Sequence, residues 1–361
     1  ADPAGLNGLT GWTNDKIVVL AGTATLGVAA QALILFVAWN KAKIKFHLNF
    51  KWRGFGLRPA LRAAAWSLGM VIVTQVGGVI QTFVASSAIS ARAANPAIAS
   101  VAAAGVAWLI FMVPHSVVTV SISTAYFTKM TKHAHENRLD LMRADFGAGL
   151  RAISLFAIFF SVAMSVLAYP MSRVFIGEFD ATISLGNVLI AQMLGLLPFS
   201  FVYMIQRAFY ALENTRTPFY FTLVQITLHM CGSLAIFFFV PKVWLVVALA
   251  ALTSFTLMVQ AIIAFSLLGK RIGSLADQKI AQALLQYVIS ALVAGGVGYA
   301  GLEILGGISA NSFVLAKVAS STITIFGLGF VMFGVYAICL RLLKVSEIDT
   351  AISGLKGILR R

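Results

Sequence analysis

The sequence predicts an all-α fold: a polytopic helical membrane protein with nine transmembrane helices. Two observations carry this. Nine apolar segments run for about 20 residues or more, the length a helix needs to cross the hydrocarbon core of a bilayer. In addition, 22 of the 27 Lys and Arg residues fall on one side of the resulting stack. With 60% hydrophobic residues, 11% charged residues and a mean hydropathy of +0.91, too little polar sequence is left for a separate soluble domain.

In chain order the segments are Ile17–Trp39, Leu61–Ile89, Ala97–Phe127, Gly149–Met171, Ile183–Gln206, Phe219–Val240, Trp244–Leu268, Ile280–Leu305 and Phe313–Leu340. Successive loops must alternate sides. Lys16, Arg92, Arg173, Lys242 and Lys317 share one side and every other cation shares the other. The positive-inside rule places the rich side in the cytoplasm, with the first residues outside and the C-terminus inside. One missed helix would invert every later loop and blur this split, so the charges support the count. Juxtamembrane loops then account for the net charge of +15 without a nucleic-acid partner.

The first residues, ADPAGLNGLTGWTND, lack the charged and apolar regions of a signal peptide. An external start before an ordinary span leads to the expectation that an odd number of helices precedes it. Asn40 to Arg62 alternates basic and apolar residues and reads as a cytoplasmic linker on the headgroups, a hinge between two halves or simply a topology determinant. Thr128 to Asp145 forms a second charged loop, in which Glu136, Arg138, Asp140, Arg143 and Asp145 can pair on a short helix. His133 and His135 within it have no third ligand in view, and no metal site or cofactor is expected. Cys231 and Cys339 lie in different spans without metal or disulfide spacing and read as buried, inert thiols.

Candidate functional residues sit inside the spans. In the second, Gln75, Thr82 and Ser86 follow i, i+7 and i+11 and share a face, with Gln81 adjoining. A polar stripe in lipid turns toward a bundle interior or a water-filled cavity, and interhelical hydrogen bonding is the competing account. Pro114 is followed by His115 and SVVTVSIST, which reads as a kinked helix with a polar inner face, or as hydroxyls bonding their own i−4 carbonyls. Pro170 and Pro198 are the other helix-breaking candidates inside spans. Gly295, Gly296 and Gly298 in the eighth span permit close helix approach or leave a smooth groove. There is no GxxxxGK[ST], GxSxG or HExxH and no paired intramembrane carboxylate, so neither ATP-driven pumping nor catalysis is indicated. A secondary carrier, a channel or a membrane scaffold remains.

Several stretches carry a resemblance: LGVAAQALILF (Leu26 to Phe36), SLGMVIVTQVGGVIQTFVASS (Ser67 to Ser87), FMVPHSVVTVSISTAYFTKMTK (Phe111 to Lys132) and, most specifically, LGLLPFSFVYMIQRAFYALENTRTP (Leu194 to Pro218). Together they resemble the MurJ (MviN) family of lipid II flippases in the multidrug/oligosaccharidyl-lipid/polysaccharide exporter superfamily. The last stretch is similar to the family's RAFYALxDTRTP pattern through Arg207, Tyr210, Thr215, Arg216 and Pro218, with Asn214 in place of the usual Asp. Read by itself it is a loop in which Thr215 or Thr217 caps the next helix and Pro218 sits in its first turn. Members often carry an Arg five residues before the Pro of their eighth helix, where Leu109 stands here.

The resemblance implies fourteen helices in two six-helix lobes plus a final groove-forming pair, of which nine are present. Residues 1–16 are then external, 17–39 a helix of the N-terminal lobe, 40–60 the cytoplasmic linker, 61–268 the C-terminal lobe, 269–340 the final pair and 341–361 a cytoplasmic tail. It further implies a non-enzymatic flippase moving lipid-linked peptidoglycan precursor across the bacterial inner membrane by alternating access. Gln75, Gln81, Thr82, Ser86 and His115 would line its cavity and Gly295, Gly296 and Gly298 its lipid groove. The lipid-linked muropeptide and membrane lipids are the implied partners, with cell-wall synthesis or division proteins as further candidates. A related polysaccharide or drug exporter, or a scaffold for cell-wall enzymes, are the alternatives.

Overall fold

The structure, a computed structural model, describes residues 13–41, 57–89, 91, 95, 98–275, 278–345 and 347. The chain divides into two compact units between Arg58 and Pro59. The first holds α1 (Asn14–Lys41), an apolar helix with Asp15 in its first turn, where a carboxylate favours the positive end of the helix dipole. The first twelve residues and most of the expected linker, 42–56, lie outside the described residues.

The second unit runs through α2 (Leu57–Ser86), α3 (Val101–His135), α4 (Leu139–Val166), α5 (Ala168–Phe175), α6 (Phe179–Met193), α7 (Leu196–Ala211), α8 (Arg216–Phe239), α9 (Leu245–Ile272), α10 (Ile280–Ile304) and α11 (Val318–Leu342). Among the described residues eight helices are long and apolar enough to span a bilayer, and α6 with α7 makes a ninth if that bent pair counts as one.

The three prolines inside spans decide where these helices break. Proline has no N–H to give the carbonyl four residues back, and its ring crowds that carbonyl. Pro170 faces Val166 in this sense, and α4 ends at Val166 before α5 restarts at Ala168. Pro198 faces Leu194, so the expected continuous span Ile183–Gln206 is instead two helices bent by 43°. The carbonyls freed there are satisfied laterally: Ser254 Oγ on α9 donates to Ala191 O at 2.7 Å, and Ser161 Oγ on α4 donates to Met193 O at 2.5 Å. A break inside a membrane span requires such protein partners. Pro114 acts more gently, because α3 continues past it through a wide π-helical turn, His115–Val120, and then resumes.

At 1.5 Å per residue α3 is about 50 Å long, well beyond the hydrocarbon thickness. Its last turns carry Lys129, Lys132, His133 and His135 out past the apolar layer. The expected short charged helix between spans is therefore absent. Residues 128–145 extend α3 and begin α4 across a tight turn, with Asn137 at φ 56°. One near-neighbour pair forms, His133 Nδ1 lying 3.7 Å from Glu136 Oε2, and the other contacts run between elements: His133 Nε2 lies 3.3 Å from Asp145 Oδ2, and Arg143 donates to Ser274 O.

Three apolar clusters hold the unit together. One joins the ends of α2 and α3 to α6 and α9 around Val84, Phe111, Leu189 and Leu249. A second packs α3, α4, α7 and α9 around Met130, Phe146, Ile205 and Leu268. The third fastens α10 and α11 to α4 through Phe159, Tyr287, Met332 and Tyr336, and Tyr336 donates to Leu155 O at 2.7 Å. The last helix pair thus shares its core with the helices before it. Cys231 and Cys339 are free thiols, but Cys231 is exposed and Cys339 half-buried, so neither is the buried thiol expected from sequence.

Candidate functional site

Helix α2 stands apart from the other clusters along much of its length. It touches α8 at few places: a Cβ on Gly77 would lie 2.9 Å from Ile226 Cγ2, and Trp66 meets the ring of Phe219 at 5.2 Å. Behind it lie two adjoining cavities of about 470 Å³ and 340 Å³, which share Thr74, Phe199, Gln225, Ile226 and Leu257 in their walls.

The polar groups in these walls come from five helices, α2 and α6 to α9. In the larger cavity α2 supplies Thr74, Gln81 and Thr82, α6 supplies Gln192, α8 supplies Gln225 and His229, and α9 supplies Thr253. The smaller adds Gln75, Tyr203, Gln206, Thr222 and Gln260. Hydrogen bonds link them across helices. His229 Nε2 and Gln81 Oε1 lie 3.3 Å apart, Gln225 Nε2 donates to Thr256 Oγ1 at 3.2 Å, and Gln260 Nε2 donates to Thr222 Oγ1 at 3.1 Å. His229, Gln192, Gln225 and Gln260 are buried, yet each borders open space. The result is an uncharged, mostly apolar chamber with hydroxyls and amides set into its walls. Such a surface offers hydrogen bonds to a sugar, a peptide or water without the desolvation cost of a buried charge.

Of the residues expected from sequence, Gln81 and Thr82 lie in the wall of the larger cavity and Gln75 in that of the smaller. Ser86 is in neither wall and donates to Thr82 O at 2.5 Å within its own helix. His115 is likewise absent from both. It is buried in the π-turn with its ring against Phe199 (4.4 Å) and edge-on to Tyr203 (5.3 Å). The polar run after Pro114 lines neither cavity: Thr119 and Ser123 are buried, Thr119 Oγ1 donating to Ser200 Oγ at 2.8 Å, whereas Ser116, Ser121 and Thr124 are exposed and Ser116 and Thr124 bond carbonyls of α3 itself. Leu109 is 67% exposed on the outer side of α3. What the sequence reading passed over is the polar face of α8, although Thr222, Gln225 and His229 follow i, i+3 and i+7, the same signal that marked α2.

The glycine segment of α10 serves packing. A Cβ on Gly295 would lie 2.7 Å from Val162 Cγ1 of α4, and one on Gly298 would run into Met332 of α11, whereas Gly296 has open space.

At the basic end the motif loop between α7 and α8 is held by aromatic and amide contacts. Arg207 donates to Tyr203 Oη at 2.6 Å and lies 4.8 Å over the same ring, and Arg216 sits over Trp66 and Tyr220. Tyr210 is half-buried and Pro218 is buried in the first turn of α8, where a missing N–H costs nothing. The expected Thr cap does not form: Thr215 is the N-cap residue but makes no side-chain cap bond. Asn214 takes that role. Its Oδ1 accepts from Thr217 N at 3.0 Å, and its Nδ2 donates to Thr217 Oγ1 at 2.9 Å. Replacing Asn214 with Ala is expected to lower stability by about 1 kcal/mol, while Asp keeps the acceptor and adds a charge favoured at a helix N-terminus. Thermal unfolding of the two variants in detergent checks this.

A bundle of long apolar helices, broken where neighbours satisfy the freed backbone and bordering an uncharged chamber, defines a multi-pass membrane protein. Comparison with known proteins makes the class specific. The family model described as lipid II flippase MurJ matches residues 8–319, and the chain belongs to that family. A protein of Buchnera aphidicola subsp. Acyrthosiphon pisum (strain APS), named probable lipid II flippase MurJ, is 25% identical over 236 residues, 62% of this chain and 43% of that protein. A solved structure titled "Lipid II flippase MurJ, inward closed conformation" superposes with a TM-score of 0.59 at 18% identity over 86% of this chain and 60% of that one. That likeness bears on the fold. The chain spans less than two thirds of the length of these relatives.

Proposed function

We propose that this chain supplies the C-terminal lobe and final helix pair of a lipid II flippase, which carries lipid-linked peptidoglycan precursor across the bacterial inner membrane by alternating access, without covalent chemistry. The basic end faces the cytoplasm and the C-terminus lies there. The observation that carries the reading is the family match over residues 8–319. The chamber behind α2 supports it, because amides and hydroxyls suit a sugar–peptide headgroup that must leave water for the length of the crossing.

In this mechanism the headgroup passes the polar walls of α2, α8 and α9 while the polyprenyl tail remains in lipid. Gln81, Thr82, Gln225 and His229 exchange hydrogen bonds with the headgroup in place of water, so neither facing state traps it tightly. Loose packing of α2 provides the moving wall: few contacts oppose its displacement, and local stability follows contact density. Proteins of cell-wall synthesis or division are the expected neighbours in the membrane.

The test is depletion of the full-length protein in its own bacterium, with precursor exposure on the outer face measured by a membrane-impermeant cleavage enzyme. Loss of outward precursor while the cytoplasmic pool grows is the expected result. Unchanged exposure overturns the assignment.

A further inference from the structure

A different pair of cavities, at the basic end of the bundle, is matched to an amphiphile. The larger of the two, about 950 Å³, lies between α7, α9 and the start of α10, with Pro198, Phe201, Phe265 and Leu284 in its walls. Met258 and Ile262, also in its walls, are 45% and 60% exposed, so it opens sideways on the outer surface of the bundle where acyl chains would lie. A second, polar pocket of about 390 Å³ sits between α4, α10 and the residues after α11, lined by Arg151, Gln278, Gln286, Lys344 and Glu347. The two share Lys279 and Gln282. An apolar slot therefore runs directly into a hydrophilic pocket.

Charge in the polar pocket favours an anion. Among the described residues its charged wall residues are Arg151, Lys279, Lys344 and Glu347. Arg151 is already spoken for: its Nε donates to Glu347 Oε1 at 2.6 Å and its Nη1 to Gln278 O at 2.6 Å. Among the described residues neither Lys279 nor Lys344 forms an ion pair. Both are held at positive φ, 49° and 55°, at the start of α10 and just beyond α11. Lys279 lies where apolar wall gives way to polar wall, the position of a lipid phosphate between tails and headgroup. Basic pockets between transmembrane helices at the membrane surface are a general means of holding anionic lipid headgroups.

We propose that this bipartite cavity binds one anionic diacyl phospholipid from the leaflet at the basic end, an acyl chain filling the slot between α7, α9 and α10 and the phosphodiester resting between Lys279 and Lys344. The site lies outside the chamber behind α2 and stands whether or not the chain takes part in flipping. A bound lipid here ties α10 and the end of α11 to α7 and α9, and so couples the last helix pair to the broken span.

The experiment follows thermal unfolding of the purified chain in a neutral detergent by tryptophan fluorescence, titrating dioleoylphosphatidylglycerol, dioleoylphosphatidylcholine or inorganic phosphate. Phosphatidylglycerol should raise Tm with saturation at one lipid per chain, phosphatidylcholine should need at least about tenfold more, and phosphate should have no effect. Lys279→Glu with Lys344→Glu should weaken the phosphatidylglycerol response by at least about tenfold. Ala281→Trp, which fills the slot from an exposed position in its wall, should abolish saturation. The equal charge change Lys132→Glu with Arg138→Glu, on residues absent from both pockets, should leave it intact. Equal responses to the two lipids, a response to phosphate alone, or the same loss from the control pair would each overturn the site. If the lysine reversals fail to fold, an unchanged response in Ala281→Trp overturns it by itself.

Discussion

Replacing Gly195 with Val should be among the most destabilising single changes in this protein, by about 3 kcal/mol, the upper part of the range for overpacking a tight contact. Gly195 occupies the break between α6 and α7. A Cβ there would lie 3.1 Å from the backbone Cα of Ser254 and 2.8 Å from its Oγ. Backbone cannot swing aside as a flexible side chain can. Pushing α9 away also removes the Ser254 hydroxyl from the carbonyl of Ala191, which would then face apolar surroundings unpaired. Gly296→Val on α10 is the internal reference, since nothing lies within 4 Å of its Cβ position. Unfolding in detergent should show a clear fall in Tm for the first and little change for the second. Equal values would mean that the close approach of α7 and α9 is not what holds the broken span.

The second large effect is on transport. Gln81→Leu combined with His229→Leu should reduce precursor translocation by the full-length protein at least about tenfold, while stability changes by no more than about 1 kcal/mol. The two side chains face each other at 3.3 Å across the larger cavity. Replacing both by apolar groups removes the pair without stranding either member, so folding loses little. The headgroup, in contrast, loses two hydrogen-bonding partners in the wall between α2 and α8. His229→Leu alone leaves Gln81 to water, which a cavity of about 470 Å³ readily admits. Precursor exposure in cells carrying each variant, measured beside thermal unfolding, separates these effects. Normal transport by the double variant would remove the cavity from the path.

Helix α3 shows how far local sequence reaches. Pro114 announced an irregularity and the structure has one, but the same residues fit a kink, a break or the π-turn that forms. Which occurs depends on Thr119 meeting Ser200 and on His115 fitting between Phe199 and Tyr203. The hydroxyl run beyond it read as a cavity face because polarity marks the need for a partner without naming that partner. In the motif loop, Asn214 was noted as a departure from a pattern, yet its amide caps α8 through both of its polar atoms.

By itself the sequence determined the apolar segments, their alternation through the charge of the loops, and the points where proline forbids a regular helix. These are local quantities, set by the cost of placing each residue in hydrocarbon and by the backbone of single residues. Only the tertiary structure decided which polar stripes enclose the chamber, since Gln81 and His229, or Gln225 and Thr256, are joined by helices packing side by side and not by spacing along the chain. It also decided that Gly295 and Gly298 are occupied by neighbouring helices while Gly296 stays open. In a membrane, where lipid matches the apolar surface of every helix, that choice rests on close packing and interhelical hydrogen bonds, which exist only after the helices have met.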